Sequence, residues 1–448
     1  MKTKLLCLIL VQAILMGIFS GCVNTAKHES HNITVSSDAV IHENTPEPTP
    51  TPYVPYTTAY ADLPEKYTLR YPDYEVQVRE SPKPVSKVIP ARYELDEMGW
   101  YNNPNAEETG SAVLMLTGDL MCQTRQQEAA LEKYGEYKFN DNFYVVKDVF
   151  AEADFVVGNL EATLSAQAPY MSEQKEVDGK PHCNAPSTYA GALRYAGFDA
   201  VMTANNHCID AGVYGLLDTI DVLHNYELMH TGTFASEKDQ RVLLVNINGV
   251  RVAFLSYATY FNTKDAYLTD EGREILLNKY TPEKVALDVK AAKLMGAEFI
   301  IAYNHWGKEY TNTESEKQLR YAREMADAGV DYIIGSHPHA LQRYDILTAS
   351  DGRSVPVVYS MGNFVSHMTK TVAKDTIILR IELTKTEDGV QIASEGYIPC
   401  RVFKSYVGYN YIVMPISQEY NGGRSSRYFE AALKRITAVM GDKLEQLG

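Results

Sequence analysis

Short apolar runs recur along the chain from residue 111 onward, and each stops at a polar residue. "SAVLML" (111–116), "DFVVG" (154–158), "DAVMTA" (199–204), "FIIAY" (299–303), "DYIIG" (331–335) and "PVVYS" (356–360) have the length and content of buried strands. Between many of them the apolar positions switch to helical spacing. "STYAGALRYAG", "EKVALDVKAAKLMGA" and "SEKQLRYAREMADAG" each stop at or near a glycine suited to a helix C-terminus, and "YGLLDTIDVLHNY" has the same period. Strands alternating with helices predict an α/β sheet. The stretch "RVLLVNINGVRVAFLSYA" (241–258) differs, because two strand-like runs flank Asn248-Gly249, a hairpin signal, so part of the sheet system is expected to be antiparallel. Near the end, "SRYFEAALKRITAVMGDKLEQL" predicts a helix that packs its apolar stripe on the domain.

The first 110 residues follow another pattern. A short basic start, "MKTK", precedes the apolar run "LLCLILVQAILMGIFS", which suits a secretory signal better than a spanning helix. The run leads into Gly21-Cys22, and small residues before a cysteine resemble a bacterial lipobox in which Cys22 is lipidated. A lipid-anchored protein is therefore expected, with a plainly secreted one as the alternative; both are extracytoplasmic. Residues 23–60, with "TPEPTPTPYVP", cannot bury enough apolar surface to order themselves and read as a stiff Pro/Thr-rich tether. His28, His31 and His42 in it are taken as solvated. Residues 61–110 are expected to wrap the domain as extended chain, residues 111–403 to form the domain, and 404–448 to follow it as an extension with a helix.

Charge narrows the partners. The net charge of −15 and the lack of a basic stripe exclude nucleic acid. An acidic chain that handles an anionic substrate needs local cations, and bound metal is one source. Outside the export segment four cysteines remain, Cys122, Cys183, Cys208 and Cys400, with no spacing that announces a disulfide framework.

The chemistry lies where the apolar runs stop. The first run leads to Asp119 and the second to Asn159 and Glu161. The third leads to Asn205, Asn206, His207 and Asp210. The fourth leads to His305 and Glu309, the fifth to His337 and His339, and the sixth to Asn363. Ligands of open α/β sheets bind outside the carboxyl ends of strands, so these residues can share one rim. Taken singly, an Asp after a strand is usually a helix cap, and Asp210 is expected to cap the helix that starts near Gly212. Taken together, Asp, Glu, Asn and several His form a donor set suited to Zn, Mn or Fe. Glu309 reads either as an outer partner of His305 or as a surface carboxylate, and Asn363 as a site residue or a turn residue. His182 and His230 are candidates to touch substrate; His224 and His367 read as ordinary.

The segments "TGDLM", "GNLE", "NAPSTYAGALRYAGFDAVMTANNHCIDAGVYGLLDT", "NHWGKEY", "IIGSHPH" and "YSMGNF" stand in the order found in CapA-type capsule synthesis proteins, which the chain resembles over about residues 111–365. That family is associated with poly-γ-glutamate biosynthesis and is similar to the calcineurin-like metallophosphoesterases. The resemblance implies an α/β fold, a four-layer α/β/β/α sandwich of mixed sheets, with one or two divalent ions at the strand ends. It implies Asp119 and His339 as ligands of a first ion, Asn206, His305 and His337 as ligands of a second, and Glu161 as the shared carboxylate. His207 is implied as the general acid, with Asn159, Asn205, Glu309 and Asn363 as outer-shell or substrate-binding candidates. Two features depart from the wider phosphoesterase pattern: Met121 stands where those enzymes carry a histidine, a thioether being a poor ligand for hard metals, and Gly158-Asn159-Leu160-Glu161 replaces the usual Gly-Asp-x-x-Asp.

The function expected is thus an exported protein of capsule or other envelope polymer synthesis that hydrolyses a phosphoester or a γ-glutamyl amide. Its expected partners are an anionic polymer or phosphoester substrate, the membrane through its lipid anchor, and a capsule-synthesis complex. Two other readings stand beside it: a non-catalytic protein that guides an anionic polymer with a degenerate site, and an extracellular nucleotidase.

Overall fold

Five of the six apolar runs become strands that continue past their predicted ends, and the run at 199–204 is a strand only over Ala200–Met202; the polar residues lie at the last strand positions or in the turns that follow. The computed structural model describes residues 66–69, 91–174, 182–406, 408–421, 423 and 426–448. The export segment, Cys22 and the tether lie outside them, as does most of the stretch 61–90. In chain order the strands are β1 (Glu94–Leu95), β2 (Trp100–Asn102), β3 (Ser111–Leu120), β4 (Phe155–Leu160), β5 (Ala200–Met202), β6 (Met229–Thr231), β7 (Leu243–Ile247) and β8 (Val250–Ala258). They continue with β9 (Phe299–His305), β10 (Tyr332–Ser336), β11 (Leu341–Thr348), β12 (Ser354–Met361), β13 (Asn363–Val365), β14 (Asp375–Thr386), β15 (Gly389–Tyr406), β16 (Tyr409–Pro415) and β17 (Glu445–Gln446). The α-helices are α1 (Thr124–Tyr134), α2 (Val146–Phe150), α3 (Thr188–Ala196), α4 (Gly212–Asn225), α5 (Asp270–Leu276), α6 (Pro282–Leu294), α7 (Glu316–Ala328) and α8 (Arg427–Met440).

Two mixed sheets result. One runs β1-β2-β7-β8-β9-β10-β12-β11; the other runs β16-β15-β14-β3-β4-β5-β6, with β13 beside β3 and β17 beside β15. The centre of each is parallel: β8, β9, β10 and β12 in the first, β3 through β6 in the second. The expected hairpin is present as antiparallel β7 and β8, with Asn248 and Gly249 both at positive φ, the geometry its turn demands.

The inner faces of the sheets meet in an apolar core that includes Leu116, Val157 and Met202 from one and Phe254, Ile301 and Ile334 from the other. Helices α1 to α4 cover the outer face of the second sheet through residues such as Phe150, Tyr189 and Leu223. Helices α6 and α7 cover the first through Val285, Val289, Ala322 and Met325. Four layers in the order α/β/β/α follow. No break falls at residues 403–404, because β15 runs through them, and α8 inserts Phe429, Ala432, Ile436 and Met440 into the core between the sheets. Residues 91–110 likewise add β1 and β2 to a sheet edge, with Trp100 buried. Cys122, Cys183, Cys208 and Cys400 are buried free thiols.

Candidate metal centre

The parallel strands bring their carboxyl ends together along one rim. Asp119 is the ninth of ten residues in β3, and Glu161 follows β4 directly. Asn205, Asn206 and His207 form the turn after β5, His305 closes β9, and His337 and His339 follow β10. All are buried except His207, whose side chain keeps 14% of its exposure and so stands at the mouth. Gly335, two residues before His337, lies so close to β12 that a Cβ there would run into the carbonyl oxygen of Tyr359. His337 and His339 then both take positive φ, 93° and 52°, conformations that cost a non-glycine residue on the order of 1–3 kcal/mol each and persist only where the surroundings impose them. Pro338 between them fixes the reversal.

Glu161 occupies the middle of the group. Its Oε1 lies 3.5 Å from His305 Nε2, 3.8 Å from His339 Nε2 and 3.9 Å from His207 Nε2. Both its carboxylate oxygens are buried without a hydrogen-bond partner. Burial, and then the neighbouring Asp119 carboxylate, push its pKa well above the usual carboxylate range. A buried, unpartnered carboxylate beside another carboxylate is expensive unless a cation compensates it.

The hydrogen bonds on the far side of each ligand candidate aim its lone pairs at the same place. His305 Nδ1 is 3.1 Å from Ser336 Oγ, which itself donates to the Asn304 carbonyl. The Asn159 amide nitrogen lies 3.4 Å from the same Nδ1, so two polar side chains hold that edge of the ring and Nε2 is turned inward. Nε2 lies 2.6 Å from Asn206 Oδ1 and 3.1 Å from His337 Nδ1. Asn206 spends its amide N–H on Asn262 Oδ1, 3.2 Å away, so its oxygen also points inward. His339 donates from Nδ1 to Asn363 Oδ1 at 2.8 Å, which leaves Nε2 facing Glu161. Ligand atoms converging at these distances around a carboxylate with no hydrogen-bond partner fit a divalent cation among them, and the Asp/Glu/Asn/His set suits Mn, Zn or Fe. Two groups of side chains have ligand atoms within 4.8 Å of one another and share Glu161: Asp119 with His339, and His305 with His337. Consistent with neutral, metal-ready imidazoles, burial and the neighbouring rings hold His305 and His337 well below the ordinary histidine pKa.

His207 is arranged differently. Its Nδ1 is 2.7 Å from Asp210 Oδ2, and Asp210 also accepts from the Cys183 backbone N–H at 2.6 Å and from Lys264 Nζ at 2.5 Å. Although buried, Asp210 is held down to about 2 by His207 and Lys264. Burial opposes the charged imidazole of His207, yet Cys183 and Asp210 raise its pKa well above the ordinary value. Asp210 does not cap the following helix, as its position suggested: α4 begins after Ala211 and has no side-chain cap.

The remaining candidates separate. Asn159 orients Asp119, donating to its Oδ1 at 2.8 Å. Asn205 is consumed by the loop itself: it donates to the Leu160 carbonyl at 2.6 Å and accepts from the His207 N–H at 3.0 Å. Asn363 is the partner of His339 and is not merely a turn residue. Glu309 is exposed, and its charge is felt at Tyr260 and Tyr310. His230 sits inside β6 beside Val201, with burial holding its pKa down to about 4. His182 is tied by its backbone to Gln174, and His367 accepts the Arg125 N–H. Met121 is buried against Ala162, Met171 and Cys183, so its thioether fills an apolar wall. Sequence reasoning passed over Tyr260, Asn262 and Lys264. The signal was available: they follow β8 as the other site residues follow their strands.

Among solved structures, a calcineurin-like phosphoesterase, YfkN from Bacillus subtilis, matches over 73% of this chain and 97% of its own, with 14% identity and a TM-score of 0.38. The sulfate thiohydrolase SoxB of Thermus thermophilus matches over 75% and 61%, with 13% identity and a TM-score of 0.39. The capsule biosynthesis protein CapA of Bacillus anthracis is 30% identical over 280 residues, covering 62% of this chain and 65% of that protein. The PGA biosynthesis protein CapA of Bacillus subtilis is 29% identical over 269 residues, covering 58% and 66%. The chain thus spans just under two thirds of the length of these relatives. Residues 113–368, which carry every ligand candidate named above, match the bacterial capsule synthesis protein family PGA_cap, and the chain belongs to that family.

Proposed function

We propose that this protein is an exported, lipid-anchored hydrolase of capsule or poly-γ-glutamate synthesis, with a metal-dependent site that cleaves a phosphoester or a γ-glutamyl amide. The observation that carries the metal reading is Glu161, whose two buried oxygens have no hydrogen-bond partner while four imidazoles and Asp119 surround it. Asp119, Glu161 and His339 would hold one ion, and Glu161, Asn206, His305 and His337 the other. Ions bound there would polarise the reacting oxygen and make water nucleophilic near neutral pH. The chain supplies the rest. Asn159, Asn363 and Ser336 keep the ligands aimed. His207, held through Nδ1 by Asp210, presents Nε2 toward the centre from the mouth and is placed to protonate a leaving group.

Export rests on the basic start, the apolar run and Cys22; loss of the protein from the membrane fraction in Cys22→Ala tests it. Membership of the capsule synthesis family and the names of its relatives support an anionic envelope polymer as substrate or partner. Met121 favours a second reading, a polymer-guiding protein with an incomplete site. Metal analysis of the purified full-length protein, with hydrolysis of bis(p-nitrophenyl) phosphate, decides between them. The enzyme reading expects at least one ion per chain and a roughly 100-fold loss of rate in His207→Ala. Bound metal with no hydrolysis that depends on His207 leaves the guiding role.

A further inference from the structure

We propose that the loop 259–264 after β8 is a clamp that positions the metal centre and the proton donor together; the inference rests on the metal reading above. Three alternate residues of this loop each hold a different site residue. Tyr260 places its hydroxyl 2.5 Å from His337 Nε2, its ring edge-on to the imidazole with centroids 5.0 Å apart. The same hydroxyl is 3.2 Å from His337 Nδ1, the nitrogen that faces His305, so it holds the ring along the edge that carries both nitrogens. Asn262 accepts the amide N–H of Asn206 at 3.2 Å and thereby decides that the Asn206 oxygen, not its nitrogen, faces His305. Lys264 donates to Asp210 at 2.5 Å, and Asp210 holds His207.

The loop also spans the molecule. It leaves β8 in the first sheet, while Asn206 and Asp210 follow β5 in the second and His337 follows β10 in the first. Asn262 and Thr263 are consecutive non-glycine residues at positive φ, 51° and 62°. Such a reversal is strained, and it turns residues 262 and 264 onto the β5 turn. Phe261, 1% exposed, anchors it by packing in one apolar cluster with Ala204, Cys208 and Ile209 of that same turn. A ligand set is only as well placed as the partners that fix it, and loss of one outer partner typically costs about 10–100-fold in metal affinity. Tyr260, Asn262 and Lys264 are therefore positioning residues, acting through His337, Asn206 and His207.

The test titrates Mn²⁺ into the full-length protein and follows free ion by electron paramagnetic resonance. Tyr260→Phe, which removes one oxygen and keeps the ring, and Asn262→Ala are expected to weaken the tighter Mn²⁺ by about 10-fold or more, with the melting temperature of the metal-free protein unchanged. Lys264→Met is expected to leave Mn²⁺ affinity and KM alone and lower kcat for bis(p-nitrophenyl) phosphate about 10-fold, with Lys264→Arg restoring it. Equal Mn²⁺ affinity in wild type, Tyr260→Phe and Asn262→Ala overturns the clamp while the metal centre stands. A wild type that binds no Mn²⁺ overturns the centre, and the clamp with it.

Discussion

On one side of Glu161 stand His305, His337 and Asn206, with the Asn206 oxygen 2.6 Å and His337 Nδ1 3.1 Å from His305 Nε2. On the other side stand Asp119 and His339, whose Nδ1 lies 3.4 Å from Asp119 Oδ2, and Met121, two residues after Asp119, is buried against Met171 and Cys183 and offers only a thioether. The two pockets share a carboxylate and differ by one donor. Donor count sets affinity for a borderline ion, so the pocket of His305 is expected to hold its ion tightly and that of His339 weakly.

The largest effect is expected where the pockets meet. Glu161→Gln should abolish measurable Mn²⁺ binding at both positions. The same change should raise the melting temperature of the metal-free protein at neutral pH, because a carboxyl whose pKa burial raises on folding costs stability wherever the unfolded chain ionises, and Gln does not ionise. A variant that binds Mn²⁺ normally and melts lower would show that Glu161 is a structural carboxylate and that the pockets share nothing.

Next comes the contrast between the sides. His305→Ala should remove the tighter class of Mn²⁺ and leave a single weak one, whereas His339→Ala should remove only the weaker class. Affinity losses beyond the about 100-fold typical of an outer partner are expected for His305. Identical losses in the two variants would mean that the pockets are equivalent and that Met121 is irrelevant to them.

How much of this was legible in the sequence depended on locality. The six apolar runs announce strands, and the rule that ligands gather at their carboxyl ends points to Asp119, Glu161, Asn206, His207, His305, His337 and His339, which the structure brings together on one rim. Asp210 was misread because an Asp just before a glycine-led helix has the signature of a cap; only the 2.7 Å contact with His207 Nδ1 distinguishes the roles. Tyr260, Asn262 and Lys264 are less legible because the run that becomes β8 carries a hairpin signal at its start, Asn248-Gly249, and no histidine or carboxylate directly at its end. The place of residues 404–448 was hidden for another reason. The first half of β15 is largely exposed and lacks an apolar run, and although the stripe of α8 was visible, nothing local says that it lies between two sheets.

A gain of function sharpens the comparison further. Met121→His should convert the weaker class of Mn²⁺ into one about 10-fold tighter and leave the tighter class as it is. The cost is packing, because the imidazole enters an apolar wall of Ala162, Met171 and Cys183; a loss of about 1–3 kcal/mol in the metal-free protein is expected from denaturant melts. Unchanged titrations in a folded variant would remove Met121 as the reason for the asymmetry.

The smallest effect expected comes from one residue further out. Asn363 donates to Ser366 Oγ at 3.0 Å and to the Ala373 carbonyl at 3.3 Å, which turns its oxygen onto His339 Nδ1 at 2.8 Å. That contact holds the proton on Nδ1 and keeps Nε2 free to face Glu161. In Asn363→Ala the ring loses this partner, and the other tautomer becomes accessible. The weaker class of Mn²⁺ should lose about 10-fold, the low end for an outer partner, and the tighter class nothing. Tyr260→Phe is expected to do the reverse, since its contact is with His337. If each variant disturbs only its own class, the pockets are separable units joined at Glu161; if either disturbs both classes alike, the difference between the two sides lies elsewhere than in their ligands.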